Sequence, residues 1–238
     1  IMRVLMFGWE FPPHIAGGLG TACYGMTRGL AENGVEVLFV MPSASGDEDQ
    51  SSVRIINASH VAVDTMSETV DEFLGKVRFV HVGTNMVPYV SPEDFSSVVE
   101  EERARQIKDF RITYGQKYQF SGKYGTNLME EVARYGMVGG TIALQHCDEF
   151  DVIHAHDWLT YLAGIAAKQL TGKPLVVHVH ATSFDRSSDD NIDTRVYDLE
   201  KRGMEAADRV ITVSELTRNI VINKYGIDPA KVVTVHNA

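Results

Sequence analysis

Two His-x-His pairs, His154-Ala-His156 and His178-Val-His180, are the densest concentration of reactive side chains in this sequence. Each pair follows a short apolar run, Val152-Ile153 and Leu175-Val176-Val177. Such runs predict buried strands over 152–156 and 175–180. Side chains alternate along a strand, so each pair puts two imidazoles on one face. Imidazole binds metal ions, shuttles protons and hydrogen-bonds polar ligands. Two readings follow. Both pairs together form a metal site, as in a metal-dependent hydrolase, or each pair holds one structural and one site-facing histidine. Asp157 and Trp158 come directly after the first pair, as an orienting carboxylate and a packing anchor.

Four further stretches carry chemistry. Gly17-Gly18-Leu19-Gly20 opens a helical pattern. Free N–H groups at a helix start suit a phosphate, and glycine allows close approach. The spacing is neither Gly-x-Gly-x-x-Gly nor a P-loop with its lysine. His180-Ala-Thr-Ser-Phe-Asp-Arg-Ser187 is a polar loop in which Thr182 and Ser183 could donate to substrate hydroxyls and Asp185 is expected to pair with Arg186. Asp47-Glu48-Asp49 matches a carboxylate pair for a divalent ion, but its acidic surroundings read as a solvated loop. Arg103, Arg105, Lys108, Arg111, Lys117 and Lys123 interleave with Tyr114, Tyr118, Phe120 and Tyr124. Aromatic rings stack on sugars and bases, although a charged helix with its following loop explains this stretch as well.

The elements that must position these groups alternate between strand and helix. Residues 3–8 and 35–41 read as strands around a helix on Leu19, Cys23, Met26 and Leu30, ended by Gly34. Residues 42–50 form a surface loop, and 53–56, 60–63 and 77–82 are short strand candidates. A charged helix is predicted over 94–113, a Gly- and Tyr-rich loop over 114–126, and a helix over 127–146 that Gly136, Gly139 and Gly140 weaken. Beyond 156 the pattern continues with a helix on Leu159, Leu162, Ala163, Ala166 and Leu170, then a helix over 198–208 and a strand over 209–213. Ser214 caps a helix that runs to Tyr225-Gly226. A turn at Asp228-Pro229 leads to a last strand over 232–235. The expected fold is α/β: a doubly wound, mostly parallel, Rossmann-like sheet.

Composition narrows the function. The net charge of −10 argues against nucleic acid as a partner. No apolar run is long enough to cross a bilayer, and no signal segment precedes the first strand, so no membrane partner and a cytoplasmic location are expected. Cys23 and Cys147 read as buried reduced thiols.

Taken in order, Glu10-Phe-Pro-Pro13, Gly17-Gly18-Leu19-Gly20, His154-Ala-His156-Asp-Trp158, His180-Ala-Thr-Ser-Phe-Asp-Arg186, Glu205-Ala-Ala-Asp-Arg-Val-Ile-Thr-Val-Ser214 with Thr217-Arg218, and Val235-His-Asn237 span nearly the whole chain. Together they resemble the N-terminal domain of a GT-B retaining glycosyltransferase, close to the glycogen and starch synthases and the family-4 transferases. The resemblance implies that residues 1–238 are the acceptor-side half of a two-domain enzyme. Its C-terminal partner domain would hold most of a UDP- or ADP-sugar. Gly17 and Gly18 would lie near the donor diphosphate. His156 would meet the transferred sugar at its 6-hydroxyl, with His154 fixing the strand. Asp157, Thr182, Ser183 and Asn237 would complete the donor and acceptor contacts. The chemistry needs neither metal nor cofactor. Glycogen and starch synthases of bacteria carry a lysine two residues before the first glycine of the loop. Ile15 stands there, after His14, so the loop is closer to the family-4 enzymes.

The expected activity is therefore transfer of glucose from a nucleotide sugar to a glycan such as glycogen, with the 238-residue piece inactive alone. The alternatives are the metal-dependent hydrolase and a non-catalytic sugar-binding lobe.

Overall fold

Seven apolar segments of three to six residues pair into one sheet. They are β1 (Arg3–Phe7), β2 (Glu36–Met41), β3 (Arg54–Asn57), β4 (Val152–His156), β5 (Leu175–Val179), β6 (Arg209–Thr212) and β7 (Val232–Thr234). The computed structural model describes residues 1–62, 117–124, 128–187 and 191–237. The strand predicted over 77–82 and the helix over 94–113 lie outside them. The strand order is β3-β2-β1-β4-β5-β6-β7, and every pairing is parallel. The order reverses between β1 and β4, which is where a doubly wound sheet opens a crevice at its carboxyl edge.

Helices cover both faces. α1 (Gly18–Glu32) lies over Val4, Met6, Val37, Phe39 and Met41, inserting Cys23, Leu19, Met26 and Leu30. Gly34 turns the chain out of this helix at φ +73. On the other face lies α3 (Trp158–Thr171), and α2 (Leu128–Gln145) packs on α3. The approach is close. A Cβ on Gly136 or Gly139 would stand 2.9 Å from Leu162 Cβ or 2.7 Å from Ala163 Cβ, and one on Gly164 would stand 3.0 Å from Ala155 Cβ. The glycines that weaken α2 on propensity are thus the residues that let it pack.

The remaining elements follow their caps. α4 (Ser183–Arg186) is a single short helix inside the predicted polar loop. α5 (Thr194–Ala206) begins four residues before the predicted start, because Asp193 accepts the Arg195 N–H as its N-cap. α6 (Glu215–Tyr225) starts at the Ser214 cap and ends at Gly226 with φ +68. The strand predicted over 60–63 is not formed at its start. Asn57 instead accepts the Ser59 N–H and begins a single 3-10 turn over Ala58–His60. No helix among the described residues is long and apolar enough to cross a membrane.

Candidate functional site

The register of the sheet builds a block of four imidazoles. His156 on β4 stands opposite His178 on β5, and His154 one step back stands opposite Val176. All four rings therefore share one face, at the carboxyl end of two adjacent strands. Along each strand the ring centroids lie 4.3 Å apart, His154 tilted 33° to His156 and His178 stacked on His180. Across the strands they meet nitrogen to nitrogen. His154 Nε2 lies 3.2 Å from His178 Nδ1, and His156 Nδ1 lies 2.9 Å from His180 Nε2. His156 and His178 are buried, and the Nε2 of each has no hydrogen-bond partner.

Burial sets the charge of this block. It pushes His154 down to about 3, His178 to about 2 and His180 to about 4, with neighbouring rings adding to the shift for the first two. His156 is driven well below the ordinary imidazole range by burial and then by the other three rings. The block is neutral near pH 7, so it offers hydrogen bonds rather than positive charge.

Asp157 braces the site, by a route different from the one expected. Its carboxylate does not meet the His156 ring. Asp157 Oδ1 accepts the backbone N–H of His180 at 2.8 Å and of Ala181 at 3.4 Å. Its own N–H donates to the His178 carbonyl at 3.0 Å. The residue adopts φ +59, the only positive value outside glycine among the described residues. Such backbone costs roughly 1–3 kcal/mol and persists only where the surroundings impose it. Burial raises the Asp157 carboxyl to about 6, against the backbone N–H of His180, which lowers it. Trp158, next in the chain, is buried as the expected anchor at the start of α3.

The Gly-rich loop already holds an anion of its own. Glu10 accepts the N–H of Ala16 at 2.8 Å, of Gly17 at 3.1 Å and of Gly20 at 3.2 Å. Gly20 must be glycine, since a Cβ there would fall 2.4 Å from Ile15 and 2.9 Å from the Glu10 side chain. Gly17 and Gly18 are exposed, and a Cβ on Gly18 would meet nothing within 4 Å. The N–H of Gly18 and of Leu19 carry no hydrogen bond among the described residues. Cys23, in the next turn of α1, is raised far above the usual thiol range by burial, with further contributions from Asp157 and Glu10. The loop and the end of β4 therefore share one neighbourhood. Tyr124 joins it: half-exposed, its hydroxyl is raised to about 12 by burial and then by Glu10 and Asp157.

Thr182, Ser183 and Asn237 are placed elsewhere. Thr182 caps α4, its hydroxyl donating to Asp185 Oδ2 at 2.9 Å. The Ser183 hydroxyl donates to Glu200 Oε1 at 2.5 Å, and Tyr225 donates to the same oxygen at 2.8 Å. Arg186 pairs with Glu200 at 2.6 Å and not with Asp185, as the loop alone suggested. Both hydroxyls are thus buried and engaged within the domain. Asn237 is exposed just past β7, three strands from β4. At the usual strand spacing that is on the order of 14 Å from the histidines.

The acidic loop is solvated at Asp47 and Asp49, whereas Glu48 is buried and turns inward to cap the loop backbone. Asp47 pairs with His14 at 2.8 Å, Glu48 accepts the N–H of Ser45 and Gly46, and Asp49 accepts the Tyr24 hydroxyl. Each of these carboxylates has a different partner. In the aromatic stretch, Phe120 is buried against Tyr135, and Arg134 covers Tyr118 at 5.0 Å. The basic residues 103–111 lie outside the described residues.

Nitrogens of His154, His156 and His178 lie within 4.8 Å of one another. An imidazole binds an ion in its own ring plane. The His156 ring lies at 33° to His154 and 26° to His178, and the cross-strand nitrogens already pair at 3.2 and 2.9 Å. The arrangement favours hydrogen bonding over ligation.

A profile of the starch synthase catalytic domain matches residues 3–234. The chain belongs to the starch synthase catalytic domain family. This starch synthase family chain is 24% identical over 241 residues to an uncharacterized glycosyltransferase of Methanocaldococcus jannaschii, covering 99% of the chain and 46% of that protein. It is 23% identical over 239 residues to a glycogen synthase of Mycobacterium tuberculosis, covering 99% and 48%. It thus spans about half the length of the curated relatives it matches. Its fold is that of the catalytic domain of starch synthase IV from Arabidopsis thaliana bound to ADP and acarbose, with a TM-score of 0.53 at 18% identity, over 99% of the chain and 51% of that structure. The glycogen/starch-synthase-like resemblance and the Rossmann-like α/β fold stand. Glu10 was given no role of its own by the sequence, and His180 and Tyr124 were placed only within a histidine pair and an aromatic stretch. Glu10 sat in a matched motif, and only the folded loop shows what it binds.

Proposed function

We propose that this chain is the acceptor-side half of a retaining glycosyltransferase that transfers glucose from a nucleotide sugar to an α-glucan. The observation that carries the reading is the unpartnered Nε2 of buried His156, at the carboxyl edge of β4 beside the Gly-rich start of α1. A buried polar atom with no partner is rare in a resting protein. A hydroxyl of a bound sugar would satisfy it. Membership of a starch synthase family supports sugar transfer as the chemistry. The ADP and acarbose bound in the Arabidopsis structure support a nucleotide-sugar donor and a glucan-like acceptor.

On this reading the free N–H groups of Gly18 and Leu19 face the donor diphosphate, in the open space where a side chain at position 18 would stand. Gly17 acts indirectly, its N–H held by Glu10. Asp157 holds the β5 end in place. Thr182 and Ser183 shape the turn rather than touching sugar, and Asn237 meets ligand only from the far side of the cleft. A second, nucleotide-binding domain outside these 238 residues completes the site. Catalysis then rests on positioning and on stabilising the leaving diphosphate.

The test uses the chain joined to its second domain, with UDP-glucose and ADP-glucose as donors and a maltooligosaccharide as acceptor. His156→Ala should lower kcat on the order of a hundredfold with the fold intact. Unchanged turnover would remove His156 from the site.

A further inference from the structure

The outer histidine pair contains a device that neither the family match nor the proposed function assigns. His156 Nδ1 and His180 Nε2 lie 2.9 Å apart, within hydrogen-bonding distance. A neutral imidazole carries one N–H and one bare nitrogen. The two rings therefore share one proton across this contact, and there are two arrangements. Either His156 Nδ1–H donates to His180, leaving His156 Nε2 bare, or His180 Nε2–H donates to His156, whose own proton then sits on Nε2.

The two arrangements differ in what they leave buried. His156 is fully buried and its Nε2 has no partner. The second arrangement strands an N–H donor there, and the first strands only a lone pair. Orphaned buried N–H groups are the rarer case. His180 is only partly buried, so a proton on its Nδ1 can be hydrated. Its ring is also held in place. Asp157 accepts the His180 and Ala181 N–H groups, and the ring lies on His178 at 4.3 Å with a 6° tilt.

We propose that His180 is a positioning residue that locks His156 in the Nδ1–H tautomer, so that its buried Nε2 is left bare as a hydrogen-bond acceptor for a ligand hydroxyl. The consequence for sugar transfer rests on the proposed role of His156; the lock itself does not. His156 accepts from a sugar O–H in this state, and the O–H remains free to accept from another group.

Imidazole 15N spectra of the histidine-labelled chain at pH 7.5 read the proton position directly. The expected result is His156 protonated at Nδ1. His180→Leu should move that proton to Nε2 or mix the two forms. His180→Gln, whose side-chain oxygen can accept at a similar reach, should restore it. A His156 protonated at Nε2 in the unaltered chain overturns the inference, even if the leucine variant fails to fold. So does an unchanged pattern in a folded leucine variant. In the two-domain enzyme, His180→Leu should lower kcat roughly tenfold with the acceptor KM nearly unchanged, and His180→Gln should recover it. A tautomer shift with unaltered turnover supports the lock and removes His156 from the donor site.

Discussion

Four neutral imidazoles packed together make the domain sensitive to acid. In the unfolded chain each ring protonates near 6.5, whereas in the folded chain His154, His178 and His180 wait until about 3, 2 and 4. Below pH 6.5 the unfolded state therefore binds more protons, and stability falls as pH falls. Each such ring contributes up to about 1.4 kcal/mol per pH unit until its folded value is reached. Asp157 acts in the opposite direction. Its carboxyl is raised to about 6 from 3.8, so between those values the folded state gains a proton first and recovers part of the loss. Urea midpoints at pH 7.5, 6 and 5 should fall steeply below 6.5, and a flat profile would show that the rings are solvated. Glu10 makes a second prediction. Glu10→Ala would remove the acceptor of three N–H groups at the start of α1, that of Gly20 being buried. The expected cost is about 2–3 kcal/mol in a urea titration. No loss would mean that the loop is held by other contacts.

Packing between α2 and α3 tests whether propensity or contact governs a helix. Ala is favoured over Gly in an isolated helix by about 1 kcal/mol. Gly139→Ala should nevertheless destabilise this domain by about 1–3 kcal/mol, because the new methyl would stand 2.7 Å from Ala163 Cβ and 3.1 Å from Phe7. A denaturation midpoint that rises instead would show that the two helices can separate at little cost. The same logic explains what could be read in advance. Ser214 and Gly226 announce their helix ends locally, through a side-chain oxygen and a left-handed turn. Gly136 and Gly139 carry no local sign of the partner they touch, so they count against a helix until the partner is in place.

The chain covers 46% and 48% of two relatives it resembles, and on the proposed reading sugar transfer takes two domains acting together. Incubated alone with UDP-glucose or ADP-glucose and a maltooligosaccharide, the chain should show no transfer above background. Robust turnover, followed by release of nucleoside diphosphate, would overturn the two-domain reading. The sequence alone determined the α/β class, most strand positions and the histidine pairs, since strand runs, caps and alternation are encoded within a few residues. The family resemblance was legible as well, because its motifs are contiguous. Only the tertiary structure decided which histidine faces which, that Glu10 fills the Gly-rich loop, that Thr182 and Ser183 turn inward, and that Asn237 stands three strands away. Those facts depend on strand order and register, set by side chains packing across more than a hundred residues of chain, which no local pattern records.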